Sequence, residues 1–313
     1  MFRFIIKRVL MMIPVMFGIS FVIFTMMYFT PGDPARMLLG ERAQEAQVQE
    51  LRESMGLNDP FLVQYGRYIK GIITEGDFGT SYTTKRSVTD EILDRFPTTM
   101  LLASFSIIAA LVIGIVCGII AATKQYTIFD HIATAVSLLG VSMPTFWQGM
   151  MLIIVFSVVL GWLPPSGFYG PEYWILPVLA IGPSTASNIM RQTRSNMLEV
   201  LRQDYIRTAR AKGQKEWVVV VRHALKNALI PIITVAGLSF GGLLGGAVMA
   251  ETIFSIPGLG KLMVDSINNR NYPMVQSGVL FIAIVVSVVN LLVDILYAYI
   301  DPRIKSQYSK NKS

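Results

Sequence analysis

Only one cysteine, Cys117, and two histidines, His131 and His223, occur in the 313 residues. A lone thiol excludes an internal disulfide and a thiolate metal cluster, and it carries no information about redox compartment. Set inside an apolar run, Cys117 reads as a small hydrophobe. The histidines stand far apart, in no H-E-x-x-H pair, and no G-x-S-x-G turn is present, so nothing marks a membrane protease or esterase. Both read as loop-edge residues. A phosphate-cradling G-x-x-x-x-G-K-[ST] loop is also lacking, because Gly258-Leu259-Gly260-Lys261-Leu262 has neither the first glycine at the right spacing nor the hydroxyl residue. The chain is therefore expected to bind no metal or cofactor and to hydrolyse no nucleotide.

Charge is scarce too, with Asp, Glu, Lys and Arg making up 15% of the residues. Hydrophobic residues reach 53% and the mean hydropathy is +0.53, a balance that soluble domains do not show. Lipid is the expected solvent, and each span must satisfy its own backbone hydrogen bonds. The formal charge of +7 does not point to nucleic acid. Its basic residues cluster beside apolar runs, where they set orientation and meet anionic lipid.

Six apolar runs, at residues 9–29, 99–122, 132–160, 174–190, 227–250 and 278–300, predict an all-α polytopic membrane protein. The first follows Arg3, Lys7 and Arg8 but leads into Thr30-Pro31-Gly32-Asp33-Pro34 instead of a cleavage site, so residues 1–30 read as a retained anchor helix, bent at Pro14. Residues 31–97 are charged with both signs and form an extramembrane segment. There Asp59 and Pro60 read as cap and first position of a helix through Tyr65, Tyr68 and Ile72, followed by a turn at Gly76-Asp77-Phe78-Gly79 and a short helix ending before Pro97. The third run contains Pro144 and Gln148. It reads as one tilted or kinked helix, since splitting it would place the basic segment 191–226 outside, against the positive-inside rule. With the N-terminus inside, that segment and a tail carrying Arg303, Lys305, Lys310 and Lys312 are cytoplasmic, while segment 31–97 faces out.

Three features invite functional reading. Gly237, Gly241 and Gly245 recur every four residues, which permits close helix approach; packing within the chain, a subunit interface and a pathway lining all stay open. Asp294 is an acid within an apolar run, read as a structural partner of the basic loop. Segment 204–231 predicts a short helix from Asp204 through Lys212 along the membrane face, ended by Gly213 as a left-handed cap.

The stretch Asp204-Tyr205-Ile206-Arg207-Thr208-Ala209-Arg210-Ala211-Lys212-Gly213, followed by Arg222-His223-Ala224-Leu225-Lys226-Asn227-Ala228-Leu229-Ile230-Pro231, resembles the coupling loop of binding-protein-dependent ABC importer permeases of the dipeptide, oligopeptide and nickel branch. That family's general signature is Glu-Ala-Ala, three residues, then Gly. Here Arg207 and Thr208 replace its first two residues while Ala209 and Gly213 match, the usual form in the peptide branch. Ser142-Met143-Pro144-Thr145-Phe146, Glu251-Thr252-Ile253-Phe254-Ser255-Ile256-Pro257-Gly258-Leu259-Gly260 and Asp301-Pro302-Arg303 are similar as well, and segment 31–97 looks like that of the B-type subunit.

The resemblance implies a type I importer fold over residues 98–302 in a bacterial or archaeal inner membrane. It implies a second, homologous permease, two ATPase subunits that use ATP and magnesium, and an extracytoplasmic solute-binding protein. Residues 204–213 would then dock in an ATPase groove, with Ala209 expected to face that groove. Peptides are the expected cargo, with nickel chelates and glutathione as alternatives of the same type and a secondary transporter as the rival class.

Overall fold

The computed structural model describes residues 2–40 and 42–300, so the tail lysines, Arg303 and the Asp301-Pro302-Arg303 motif lie outside the described residues. The chain runs α1 (Phe2–Phe29), α2 (Pro34–Leu39), α3 (Glu45–Ser54), α4 (Phe61–Glu75), α5 (Val88–Thr123), α6 (Ile128–Ser142), α7 (Thr145–Leu152), α8 (Glu172–Leu201), α9 (Asp204–Ala211), α10 (Glu216–Val218), α11 (Lys226–Ile253), α12 (Leu259–Asn268) and α13 (Tyr272–Ile300). π-helical turns at Ile153–Val159 and Val219–Leu225 continue α7 and join α10 to α11. No strand occurs among the described residues, only an isolated bridge between Thr80 and Ser87.

Four helical stretches are long and apolar enough to cross a bilayer: Ile5–Phe29, Val88–Thr123, Glu216–Gly245 and Tyr272–Leu296. A fifth is the broken pair Ile128–Ser142 and Thr145–Val159, bent by 104°. The expected run 174–190 lies inside α8, whose 30 residues span about 45 Å at 1.5 Å per residue but turn polar in their second half.

The 104° bend corrects the expectation of one kinked helix. Pro144 has no N–H to donate, and its ring drives Met143 to extended backbone at φ −84° and ψ 127°. The carbonyls orphaned at the break are met from the far side, where Gln148 Nε2 donates to Met143 O at 3.1 Å and Gly140 O at 3.4 Å.

Pro97 also departs from expectation, because α5 carries it inside a single helix of 36 residues, about 54 Å long. One missing N–H does not end a helix whose flanking Val88, Ile92 and Thr99 are buried. The helix expected to start after an Asp59 cap begins at Phe61, with Pro60 as the cap residue, and Asp59 pairs with Arg67 instead. Asp33 caps α2, its carboxylate accepting from Ala35 N at 3.1 Å. The turn before α5 is tied to the start of α13: Asn271 Oδ1 accepts from Tyr82 N, Asn271 Nδ2 donates to Ser81 Oγ, and Ser277 Oγ donates to Phe78 O.

Two packing nodes set the bundle. Along α5 and α8, a Cβ added at Gly114 would stand 2.7 Å from Ala186 O, and one at Gly118 2.5 Å from Thr193 Cβ. The helices approach so closely only because these positions are bare. At the other end Glu251 is fully buried. Its carboxylate accepts Thr99 Oγ1 at 2.6 Å and Lys261 N at 2.9 Å, while Thr99 Oγ1 in turn accepts from Leu259 N at 2.8 Å. Gly258 fits against this carboxylate, where an added Cβ would meet Cδ at 2.3 Å. Glu251 therefore joins α5, α11 and the start of α12. Glu251→Ala leaves buried donors unpaired and should cost about 3 kcal/mol, lowering the apparent unfolding midpoint of the detergent-purified protein; Glu251→Gln, which keeps an acceptor oxygen, should lose clearly less.

Candidate functional site

The basic segment 191–226, expected as a loop, is largely helical. Arg191 and Arg194 lie within α8, while Arg222, His223 and Lys226 lie in the helical run that leads into α11. Apolar residues on one side explain this, since Val219, Val220 and Ala224 are buried together with Met197 of α8. Irregular backbone remains only at residues 202–203 and 212–215, the two corners that set α9 across the end of the bundle.

Asp204–Ala211 forms α9, one residue short of the expected end, with Lys212 as its C-terminal cap residue and Gly213 at φ +77°. Nothing lies within 4 Å of a Cβ added at Gly213, so the backbone angle, and not space, requires glycine. Ile206 and Ala209 point into the bundle at 0% and 8% exposure. This overturns the expectation that Ala209 faces a partner: it packs with Val219, Val220 and Ala224. The outward-facing residues are Asp204, Tyr205, Arg207, Thr208, Arg210, Ala211 and Lys212.

Polar contacts brace both corners. Arg210 grips Glu216 through Nη2 to Oε1 at 2.7 Å and Nε to Oε2 at 3.1 Å, and the carboxylate raises the guanidinium further above its ordinary value. Asn227 Nδ2 donates to Tyr205 Oη at 2.7 Å, and His223 Nε2 meets Gln214 Oε1 at 2.7 Å. Arg207 stands 3.7 Å from Asp204, both highly exposed, a pair of little stabilising value.

The other nominated residues separate. Pro144 is exposed at the broken helix, and Gln148 is spent on capping it. Gly237 packs against α13, where an added Cβ would meet Val293 at 2.3 Å; Gly241 faces Asn290 and Val286 of the same helix, and Gly245 has nothing within 4 Å. Asp294 pairs at 2.8 Å with Arg8 of α1, not with the basic loop. The two residues meet because α1 packs along α13, a pairing that sequence spacing does not reveal.

Sequence reasoning also passed over two features of α8. Asp130 of α6 receives both Arg194 Nε and Nη2 at 2.8 Å, a fork that fastens α6 to α8. Asn188, Arg191 and Ser195, spaced by three and four residues, are all exposed. That helical spacing was the available signal for a polar face.

A helical bundle with membrane-crossing stretches, carrying a short amphipathic helix braced across one end, defines an integral-membrane transport subunit. The chain belongs to the binding-protein-dependent transport system inner membrane component family, whose model matches residues 114–306, and the family's N-terminal model matches residues 1–103. It is 44% identical to the dipeptide transport system permease protein DppB of Alkalihalophilus pseudofirmus, over 96% of this chain and 98% of that one. To the glutathione transport system permease protein GsiC of Escherichia coli K12 it is 42% identical, over 97% and 99%. Among solved structures, an inward-facing MetNI methionine ABC transporter matches at TM-score 0.57 and 18% identity, covering 68% of this chain and 97% of that chain. An amino acid ABC transporter matches at TM-score 0.51 and 14% identity, over 69% and 94%. These two establish the type I importer fold.

Because Ala209 is buried, Ala209→Glu forces a carboxylate into an apolar contact and should detach α9 from the bundle. The expected result is faster limited proteolysis near Gly213 in the purified protein, with Ala209→Ser close to wild type.

Proposed function

We propose that this chain is the transmembrane permease subunit of an ATP-driven importer and forms half of the translocation route for peptides, di- or oligopeptides first. The observation that carries the reading is α9: a short helix locked into the core through Ile206 and Ala209, with a basic, partly hydroxylic face turned outward. Near full-length similarity to a dipeptide and a glutathione permease supports the cargo class.

In this reading the α9 end is cytoplasmic, and the outward face of residues 204–212 seats in a groove of one of two ATPase subunits, which use ATP and magnesium. A second, homologous permease completes the route, and a solute-binding protein docks on the opposite face, where segment 31–97 lies. Closure of the ATPase dimer pushes α9, and the bundle rocks between inward- and outward-facing states that the partners bind with different affinity. Uptake through reconstituted complex should persist when ion gradients are collapsed with ATP maintained; its disappearance would favour a secondary transporter.

Two further outcomes check the orientation and the lever. In a Cys117→Ser background, Thr83→Cys should react with a membrane-impermeant thiol reagent in intact cells and Gln214→Cys should not, both positions being exposed; the reverse pattern would invert the topology. Gly213→Val strains the left-handed turn by about 1–2 kcal/mol. The complex should assemble, but uptake and ligand-stimulated ATP hydrolysis should both fall in the same vesicles, whereas wild-type values would remove the lever role.

A further inference from the structure

α5 and α8 run side by side in the same direction, Gly114 against Ala186 and Ile189, Gly118 against Met190 and Thr193. Asn188 and Arg191 therefore lie level with the Gly114 to Gly118 stretch of α5. At that level α5 exposes Ile113 and Val116, which suit hydrocarbon. The face that α8 exposes at the same depth is Asn188, Arg191 and, one turn on, Ser195. Asn188 and Arg191 are costly to leave in hydrocarbon, so this face needs water or a polar partner beside it.

That side has a shape. A cavity of about 530 Å³ lies between Asn188, Arg191 and Gln192 of α8 and Val235, Leu238 and Ser239 of α11. Beyond it along α11, Leu238, Gly242, Gly245 and Met249 are exposed at helical spacing, with open space over both glycines. The wall is smooth and carries few groups able to choose among side chains. At its basic end stands a cation. Arg191 Nη2 donates to Asn188 Oδ1 at 2.6 Å, and among the described residues no carboxylate pairs with it. The neighbouring Arg194 is neutralised by Asp130.

We propose that this face of α8 and α11 is the wall of the translocation route in this subunit, and that Arg191 receives the carboxylate of the passing substrate. The inference rests on the peptide-importer reading above. Peptides differ in their side chains but share a carboxylate, so a smooth wall with one uncompensated guanidinium handles the common group and ignores the rest. Asn188 is a positioning residue, holding the guanidinium by one of its nitrogens and leaving the others for a bidentate contact.

The test uses the complete complex in vesicles, in a Cys117→Ser background. Asn188→Cys and Ser195→Cys should react with a charged methanethiosulfonate, and Ile113→Cys and Val116→Cys should not. Silence of both α8 positions, with and without ATP and vanadate, would place this face in a dry subunit contact and overturn the route. For Arg191, the readout is peptide accumulated per ATP hydrolysed, using whichever of dialanine and glutathione the wild type accumulates. Arg191→Gln should lower that ratio about tenfold, the weight of one charge-assisted hydrogen bond, and Arg191→Lys should restore most of it. A wild-type ratio for Arg191→Gln, or a lysine variant as poor as the glutamine one, would overturn the carboxylate role. If the wild type accumulates with ATP neither of these compounds nor an alanine pentapeptide put in their place, the peptide reading itself fails, and this inference with it.

Discussion

The close contact of α5 with α8 is the constraint on which the rest of the molecule depends. Gly114 and Gly118 bring the backbone of one helix onto side chains and carbonyls of the other, where a single methyl group would not fit. Between helices in lipid no hydrophobic effect draws the surfaces together, so such contact gains much of its energy from close van der Waals packing, which bare positions permit. Once α8 is seated, its far end fixes where α9 turns, its exposed face fixes where the proposed route runs, and Arg194 fixes α6 through Asp130.

α9 gains its rigidity from the same place. Ile206 and Ala209 pack among Met197 at the end of α8 and Val219, Val220 and Ala224 before α11. In the proposed reading, a push on the outward face would reach both helices at once. Had Ala209 faced outward, as its place in the family signature invites, Ile206 would be the one buried apolar anchor of α9 and the helix would swivel more easily. The Arg210 and Glu216 fork and the Asn227 to Tyr205 bond resist that swivel at the two corners.

Periodic and compositional signals located much of this. Apolar runs mark membrane segments because lipid imposes length and hydropathy on each residue independently of its neighbours, and Gly213 marks a turn because a left-handed backbone angle is a local demand. What sequence leaves hidden depends on which helix lies beside which. Arg8 with Asp294, Asp130 with Arg194 and Thr99 with Glu251 are partners on different helices, far apart in sequence. The prolines divide the same way. Pro144 breaks its helix because Gln148 stands ready to take the loose carbonyls, whereas Pro97 does not break α5, because burial on both sides holds the helix straight through it.

The glycine row of α11 shows how one motif can serve two surfaces. Gly237 and Gly241 lie under Val293 and Asn290 of α13, so their bareness is used up in packing. Gly242 and Gly245, a short rotation round the same helix, meet nothing. α11 is thus gripped on one side, where Phe240 and Leu244 pack in one cluster with Val285, Val286 and Val289 of α13, and bare on the other. In the proposed reading that bare side is the wall of the route, and it follows from which side chains are missing as much as from those present.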